Sequence, residues 1–304
     1  MVRIGALAAA ILAVSLYAGD SNPDSMVPVS VLVTARAHSN TPAPQVTPED
    51  VLVSQNKQRL PVTALSPRHG EKALELWILI DDGSASSFGT QLADLKHFVL
   101  AQSPATQIGI GYMQNGRVEK VQPLTADHAL AAKAIRLPLT MPGISASPYT
   151  ALTELVKHWP EGAAAREVLM VSSGIDPLYG NGPDDPYLES AIDTVQRAGV
   201  VVYTIYYSGA GLFGHAYWEL FWGQHNLAEL SDDTGGKMYW LGFENPPSIA
   251  PYLNDLDQRL SGQYLLTFLA KPESKPGLQS VKIKTELPNV TLTGPSKVYV
   301  PAGE

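Results

Sequence analysis

Five consecutive apolar residues, Leu76 to Ile80, stop abruptly at Asp81, Asp82 and a Gly/Ser cluster that runs to Gly89. A run that short, closed by turn formers, reads as a strand buried on both faces. The next segment, Gln91 to Leu100, sets Leu92, Leu95, Phe98 and Val99 on one helical face. A buried strand that enters a helix through a polar turn is the opening unit of a parallel α/β sheet. It delivers Asp82, Ser84 and Ser86 to the sheet's carboxyl edge, where ligands of open α/β sheets bind. Oxygen donors on alternate residues suit a hard cation such as Mg²⁺. The same three side chains also suit a simple cap and brace for the turn.

The alternation continues down the chain. Gln107–Met113 reads as a strand, Asn115-Gly116 as a hairpin turn and Arg117–Val121 as its antiparallel return. Helical patterns cover 126–135, 149–159, 187–198 and 249–260, with a shorter one at 227–231. Between them lie strand patterns at 167–171, 199–206 and 237–240. Residues 71–260 therefore predict an α/β domain, a doubly wound and mostly parallel sheet with one antiparallel edge strand. The flanks, 26–70 and 261–304, are short and β-rich. Neither stands alone easily, so the two are expected to pair into one small sheet beside the α/β domain.

A length of 304 residues accommodates this two-part plan. The net charge of −8, with no Lys/Arg block, excludes a nucleic-acid-binding face. The chain has no Cys, which removes a disulfide framework and a lipid-modified Cys. Residues 1–18 have the form of a secretory signal peptide: Arg3, an apolar run from Ile4 to Val14, then Ala18. This predicts a mature start near Gly19 and a secreted or periplasmic protein. Left uncleaved, the same run is a membrane anchor.

Asp82-x-Ser84-x-Ser86 resembles the D-x-S-x-S element of the von Willebrand factor type A (vWA) domain. Ser147-Pro-Tyr-Thr150-Ala-Leu is similar to its G-x-T-x-L element, with Pro148 in place of Gly, and Thr234-Gly-Gly-Lys-Met-Tyr to its late T-G-G turn. Val168–Gly174 resembles the strand that ends in (I/V)-T-D-G, with Ser173 where that family has Asp. The flanks extend the resemblance to a secreted bacterial vWA-related branch: Thr47-Pro-Glu-Asp-Val-Leu-Val53 is similar to its T-x-E-D-(F/V)-x-V segment, and Tyr264-Leu-Leu-Thr-Phe268 to its Y-x-L-x-(Y/F) strand. Together these cover about residues 26–302.

The resemblance implies a vWA/Rossmann-like fold and an adhesion module without turnover. It implies a metal site of Asp82, Ser84, Ser86 and Thr150, with Ser173 at the position of the missing acid. Mg²⁺ or Mn²⁺ would bind weakly there, because Mg²⁺ commonly requires one or two carboxylates. The expected partner is a protein, engaged through a carboxylate. The rival is a metal-assisted hydrolase built on the Asp82/Ser84/Ser86 cluster.

No catalytic residues are indicated: the chain lacks a G-x-S-x-G elbow, an H-E-x-x-H pair and a P-loop. Gly209-Ala-Gly-Leu-Phe-Gly214 has dinucleotide-loop spacing but follows a late strand, and Asp232 and Asp233 precede a turn. Leu212–Trp222 is dense in aromatics: Phe213, Tyr217, Trp218, Phe221 and Trp222. They form either a partner-binding patch or a further core helix over the sheet edge.

Overall fold

The computed structural model describes residues 26–37, 45–68, 73–84, 86–139, 146–162, 164–176, 185–208, 217–242 and 246–302. The leader 1–18, the 209–214 glycine loop and Phe213 lie outside the described residues, and so do the side chains of Ser86 and Tyr217. The chain opens with strands β1 (Val27–Ala37), β2 (Val51–Gln55), β3 (Gln58–Leu60) and β4 (Val62–Pro67). The α/β part follows as β5 (Leu74–Asp81), α1 (Leu92–Ala101), β6 (Thr106–Gln114), β7 (Arg117–Thr125), α2 (His128–Ala134), α3 (Pro148–Lys157) and β8 (Ala165–Ser172). It continues with α4 (Pro186–Ala198), β9 (Val201–Tyr206), α5 (Tyr217–Thr234), β10 (Met238–Trp240) and α6 (Ala250–Ser261). The strands β11 (Gln263–Ala270), β12 (Gly277–Thr285), β13 (Val290–Thr293) and β14 (Lys297–Val300) close it.

The main sheet has the order β10-β9-β8-β5-β6-β7. All its pairings are parallel except β6 with β7, so the expected antiparallel edge is present. The β6–β7 turn uses Asn115 and Gly116, both at positive φ (47° and 75°), as an Asn-Gly hairpin does. β5 explains the layering. Leu76, Ile78 and Ile80 pack with α1, α2 and α6 on one face. Trp77 and Leu79 pack with α3, α4 and α5 on the other. A strand covered on both faces has no polar side to alternate with, hence the unbroken apolar run.

Chain direction across the sheet reverses beside β5: β6 lies on one side and β8 on the other. The crevice beyond the carboxyl ends of β5 and β8 is thus a topological switch point, the favoured ligand position of this architecture.

The flanks form two sheets rather than the single one expected, ordered β13-β1-β11-β4 and β14-β12-β2-β3. They share one apolar cluster that includes Val29, Val33, Val53, Phe268 and Val281. The split arises at Pro61, which has no N–H for a continuous ladder. Residues before it pair with β2, and residues after it pair with β11.

A polar network crosses the seam between the flanking sheets and the α/β part. Arg68 donates from Nε to Gln263 Oε1 (2.7 Å) and from Nη2 to the Leu260 carbonyl (2.7 Å). Gln263 donates to the Tyr203 hydroxyl (3.2 Å). The fully buried Glu167 lies beside this network. Burial pushes its carboxyl up to about 7, against the opposing pull of Arg68 and Gln263.

A raised carboxyl pKa means that the folded state holds the proton more tightly than the unfolded chain. Stability then falls as pH rises from about 4.5 through 7. A shift of this size corresponds to a loss on the order of 3 kcal/mol. Unfolding free energies at pH 5 and pH 8 should show a smaller loss in Glu167→Gln than in the wild type. Equal losses in the two proteins would remove Glu167 as a source of the pH dependence.

Candidate functional site

Asp81 is the last residue of β5, and Asp82 and Ser84 follow in its turn, all three buried. Asp81 Oδ1 accepts from the Gly83 N–H (2.8 Å). Burial pushes its carboxyl up to about 7; the Gly83 N–H lowers it, the Asp82 charge raises it and the Ser172 hydroxyl lowers it.

Asp82 turns towards the β6–β7 side. Its Oδ1 accepts from Arg136 Nη1 (2.6 Å) and from the Leu139 N–H (2.8 Å). Its Oδ2 accepts from Arg136 Nη2 (2.9 Å) and from the Gln114 amide. Burial alone would raise the Asp82 pKa, but Arg136, Leu139 and Gln114 together hold it below the ordinary carboxylate value.

Arg136 is itself closely held. Its guanidinium lies over the Tyr112 ring, 3.8 Å from the centroid. The Tyr112 hydroxyl donates to the Arg136 carbonyl and accepts from the Arg136 N–H, both at 2.7 Å. Arg136 Nη1 also donates to the Leu137 carbonyl (3.0 Å), and Nη2 reaches Glu119 Oε2 (3.3 Å). Glu119 in turn accepts from Gln114 (2.9 Å). Residues 136–139 thus form a strap across the sheet's carboxyl edge, tied down at Tyr112 and Asp82. On its outer side Leu137 and Leu139 are 52% and 47% exposed.

The other residues singled out by the resemblance lie along the same edge. Ser173 follows β8, and the register Ile80↔Val171 places it level with Asp82 across the switch point. It is buried, and its hydroxyl accepts from the Ile175 N–H (3.4 Å). Thr150 sits in the first turn of α3 and packs by its methyl against Gly116 of the hairpin. Its Oγ1 has no hydrogen-bond partner among the described residues. Ser86 opens a 3-10 turn, Ser86–Thr90.

The aromatic segment resolves into two halves of one helix, α5. Leu227 and Leu230 are core residues, whereas Trp218 and Phe221 are 40% and 61% exposed. Trp218 and the half-buried Trp222 pack ring against ring, tilted by 60°, at 4.6 Å between centroids. Two glycines bring this helix onto the site. A Cβ at Gly223 would stand 2.2 Å from the Ser173 carbonyl oxygen, and one at Gly174, where φ is +70°, would stand 2.2 Å from that of Gly223. Only paired glycines allow this approach. The Leu137/Leu139 strap and the Trp218/Phe221 turn therefore flank the Asp82–Ser173 edge from opposite faces of the sheet.

Arg136, Gln114, Glu119 and Leu139 carry no signal in the sequence pattern. Arg136 contacts Asp82 across 54 positions, and no motif links them.

The donor set was tested against the implied Mg²⁺ or Mn²⁺. Of the implied donors, Ser84, Thr150 and Ser173 offer neutral hydroxyls, and the carboxylate among them, Asp82, has both oxygens engaged by protein donors. Among the described residues no three His, Asp or Glu side chains cluster as metal ligands. With Arg136 in place, these residues do not fit a divalent cation.

No protein-family model matches the chain, and no curated protein matches it by sequence. Similar solved structures include an aerotolerance-related membrane protein from Bacteroides fragilis, at 12% identity over 62% of this chain and 98% of that one, TM-score 0.46. The ArnB paralog VWA2 from Sulfolobus acidocaldarius is 12% identical over 90% of this chain and 76% of that one, TM-score 0.42. Proximal thread matrix protein 1 of the mussel byssus, with a zinc-occupied MIDAS motif, is 14% identical over 64% and 47%, TM-score 0.41.

Proposed function

We propose that this chain is an exported, vWA-like interaction module that binds a protein partner at the carboxyl edge of its main sheet and performs no turnover. One observation carries the reading. Four large apolar side chains, Leu137, Leu139, Trp218 and Phe221, face solvent on either side of an edge whose charged groups are engaged with one another. Large apolar side chains exposed together at one edge, rather than scattered singly, mark a surface that a protein partner covers.

The hydrolase reading finds no support at the same edge. Asp82 lies in a guanidinium fork and Asp81 is closed off from solvent, so neither can reach a substrate water as general base. His97 and His225 are exposed on helices and His158 is exposed at the C-cap of α3, none of them paired with a nucleophile among the described residues. A cleft of about 360 Å³ does exist, at the opposite edge, lined by Arg166, Arg197, Lys297 and Tyr299 but by no carboxylate. No helix among the described residues is long and apolar enough to cross a membrane. Export rests on residues 1–18, and the intact mass of the exported protein should correspond to a start near Gly19.

Substitution at the rim tests the interaction. Leu137→Asp and Phe221→Asp should each abolish capture of the same extracellular protein while leaving the melting temperature within about 2 °C of the wild type. Leu100→Asp, on the exposed last turn of α1, should leave capture intact. Capture lost equally in all three variants, or in none, would move the binding surface elsewhere.

A further inference from the structure

We propose that Arg136 is the resident cation of this edge: its guanidinium occupies Asp82 in place of a metal ion, so the site is assembled and works without metal. The geometry is that of a built-in group. Both Asp82 oxygens receive a guanidinium N–H, at 2.6 and 2.9 Å, in the two-pronged arrangement that matches carboxylate geometry best. The guanidinium is held from below by the Tyr112 ring, from behind by its own backbone on the Tyr112 hydroxyl, and from outside by Glu119. The Leu139 N–H, from the same strap, takes a further lone pair of Asp82.

Charge points the same way. A divalent ion at Asp82 would meet the positive guanidinium at contact range, and the other described residues of the implied set, Ser84, Thr150 and Ser173, add hydroxyls but no charge to offset it. The absence of an acid at Ser173 and the presence of Arg136 on Asp82 are then two sides of one arrangement. A second carboxylate would strengthen the hold on a divalent ion, whereas a monovalent guanidinium is balanced by Asp82 itself. Arg136 is therefore a positioning residue. It fixes the strap that carries Leu137 and Leu139 at the rim, and binding at that rim does not depend on a divalent ion. The readouts below need no partner, so this inference stands or falls separately from the interaction reading.

The test uses Mn²⁺ as probe, followed by electron paramagnetic resonance and by thermal unfolding with millimolar Mn²⁺ or EDTA. The wild type should bind no Mn²⁺ at Asp82 and melt at the same temperature in both. Arg136→Ala should melt lower in EDTA and gain several degrees in Mn²⁺, and adding Asp82→Asn should remove the gain. Wild-type Mn²⁺ binding that disappears in Asp82→Asn would overturn the proposal. A folded Arg136→Ala with no Mn²⁺ response would overturn it too, because the guanidinium would then be replacing nothing. If Arg136→Ala does not fold, Arg136→Gln takes its place under the same two criteria. If that also fails, the wild-type titration decides: Asp82-dependent Mn²⁺ binding refutes the proposal and its absence supports it.

Discussion

Arg136→Ala is expected to lower the unfolding free energy by about 3–5 kcal/mol, the cost of leaving a buried charge without its partner. The two halves of the pair are not equivalent. Asp82 is fully buried, whereas the Arg136 side chain is 31% exposed. Truncating Arg136 leaves the inset Asp82 carboxylate with the Leu139 and Gln114 donors but no opposite charge, and also removes the stack on Tyr112, worth about 0.5–2 kcal/mol. Truncating Asp82 strands a guanidinium that still reaches solvent and Glu119, so Asp82→Ala should cost roughly half as much. The double variant Arg136→Ala/Asp82→Asn should recover part of the loss, because the neutral amide can stay buried at lower cost. Urea unfolding of the four proteins measures the cycle. A cost below about 1 kcal/mol for Arg136→Ala would class the pair with ordinary surface ion pairs, which cannot hold a strap in place.

Deleting residues 263–304 should have a larger and different effect. β11 is the interior strand between β1 and β4, and β12 the interior strand between β14 and β2. Their loss leaves β1 without either neighbour and β2 with β3 alone, and removes Leu266, Phe268, Val281, Val290, Leu292, Val298 and Val300 from the shared core. At about 1.5–3 kcal/mol for each large buried side chain, the loss is on the order of 10 kcal/mol, as much as an entire domain of this kind holds. Residues 27–67 should therefore lose all hydrogen-exchange protection, while β5, β6, β8 and β9 keep theirs. Persisting protection of Val29–Val33 would show that the amino-terminal strands find stability without the carboxyl-terminal ones.

What could be read in the chain was whatever local pattern encodes. The β5 apolar run, the Asn115-Gly116 turn and the helical faces are short-range statements, and apart from α5 the structure shows those elements within one or two residues. Partners brought together by distant chain are invisible to such patterns. The Asp82 motif could be recognised within five residues. What Asp82 binds depends on Arg136, in a Leu/Pro stretch with no distinguishing spacing. α5 was obscured for a related reason. Its exposed aromatic turn and its buried Leu227/Leu230 turn have opposite surroundings, so no single amphipathic stripe runs along it. Pro61 was visible, but its consequence, one strand divided between two sheets, depends on β11, about 200 residues away.

The pairing of Val27 with Ala270 has a consequence in time. During synthesis at about 5–20 residues per second, β1 emerges roughly 10–50 s before its partner strand exists. Through that interval its edge has nothing in its own chain to pair with, and unpaired edges are where chains associate wrongly. The intervening α/β part shortens the search. Its first strand begins at Leu74 and its last helix ends at Ser261, and Arg68 reaches across to the Leu260 carbonyl. Once folded, it holds the two ends of the chain together and replaces a loop closure of nearly 200 residues with a local one. The order of events follows: the middle of the chain folds first and acts as the jig on which the two termini find each other.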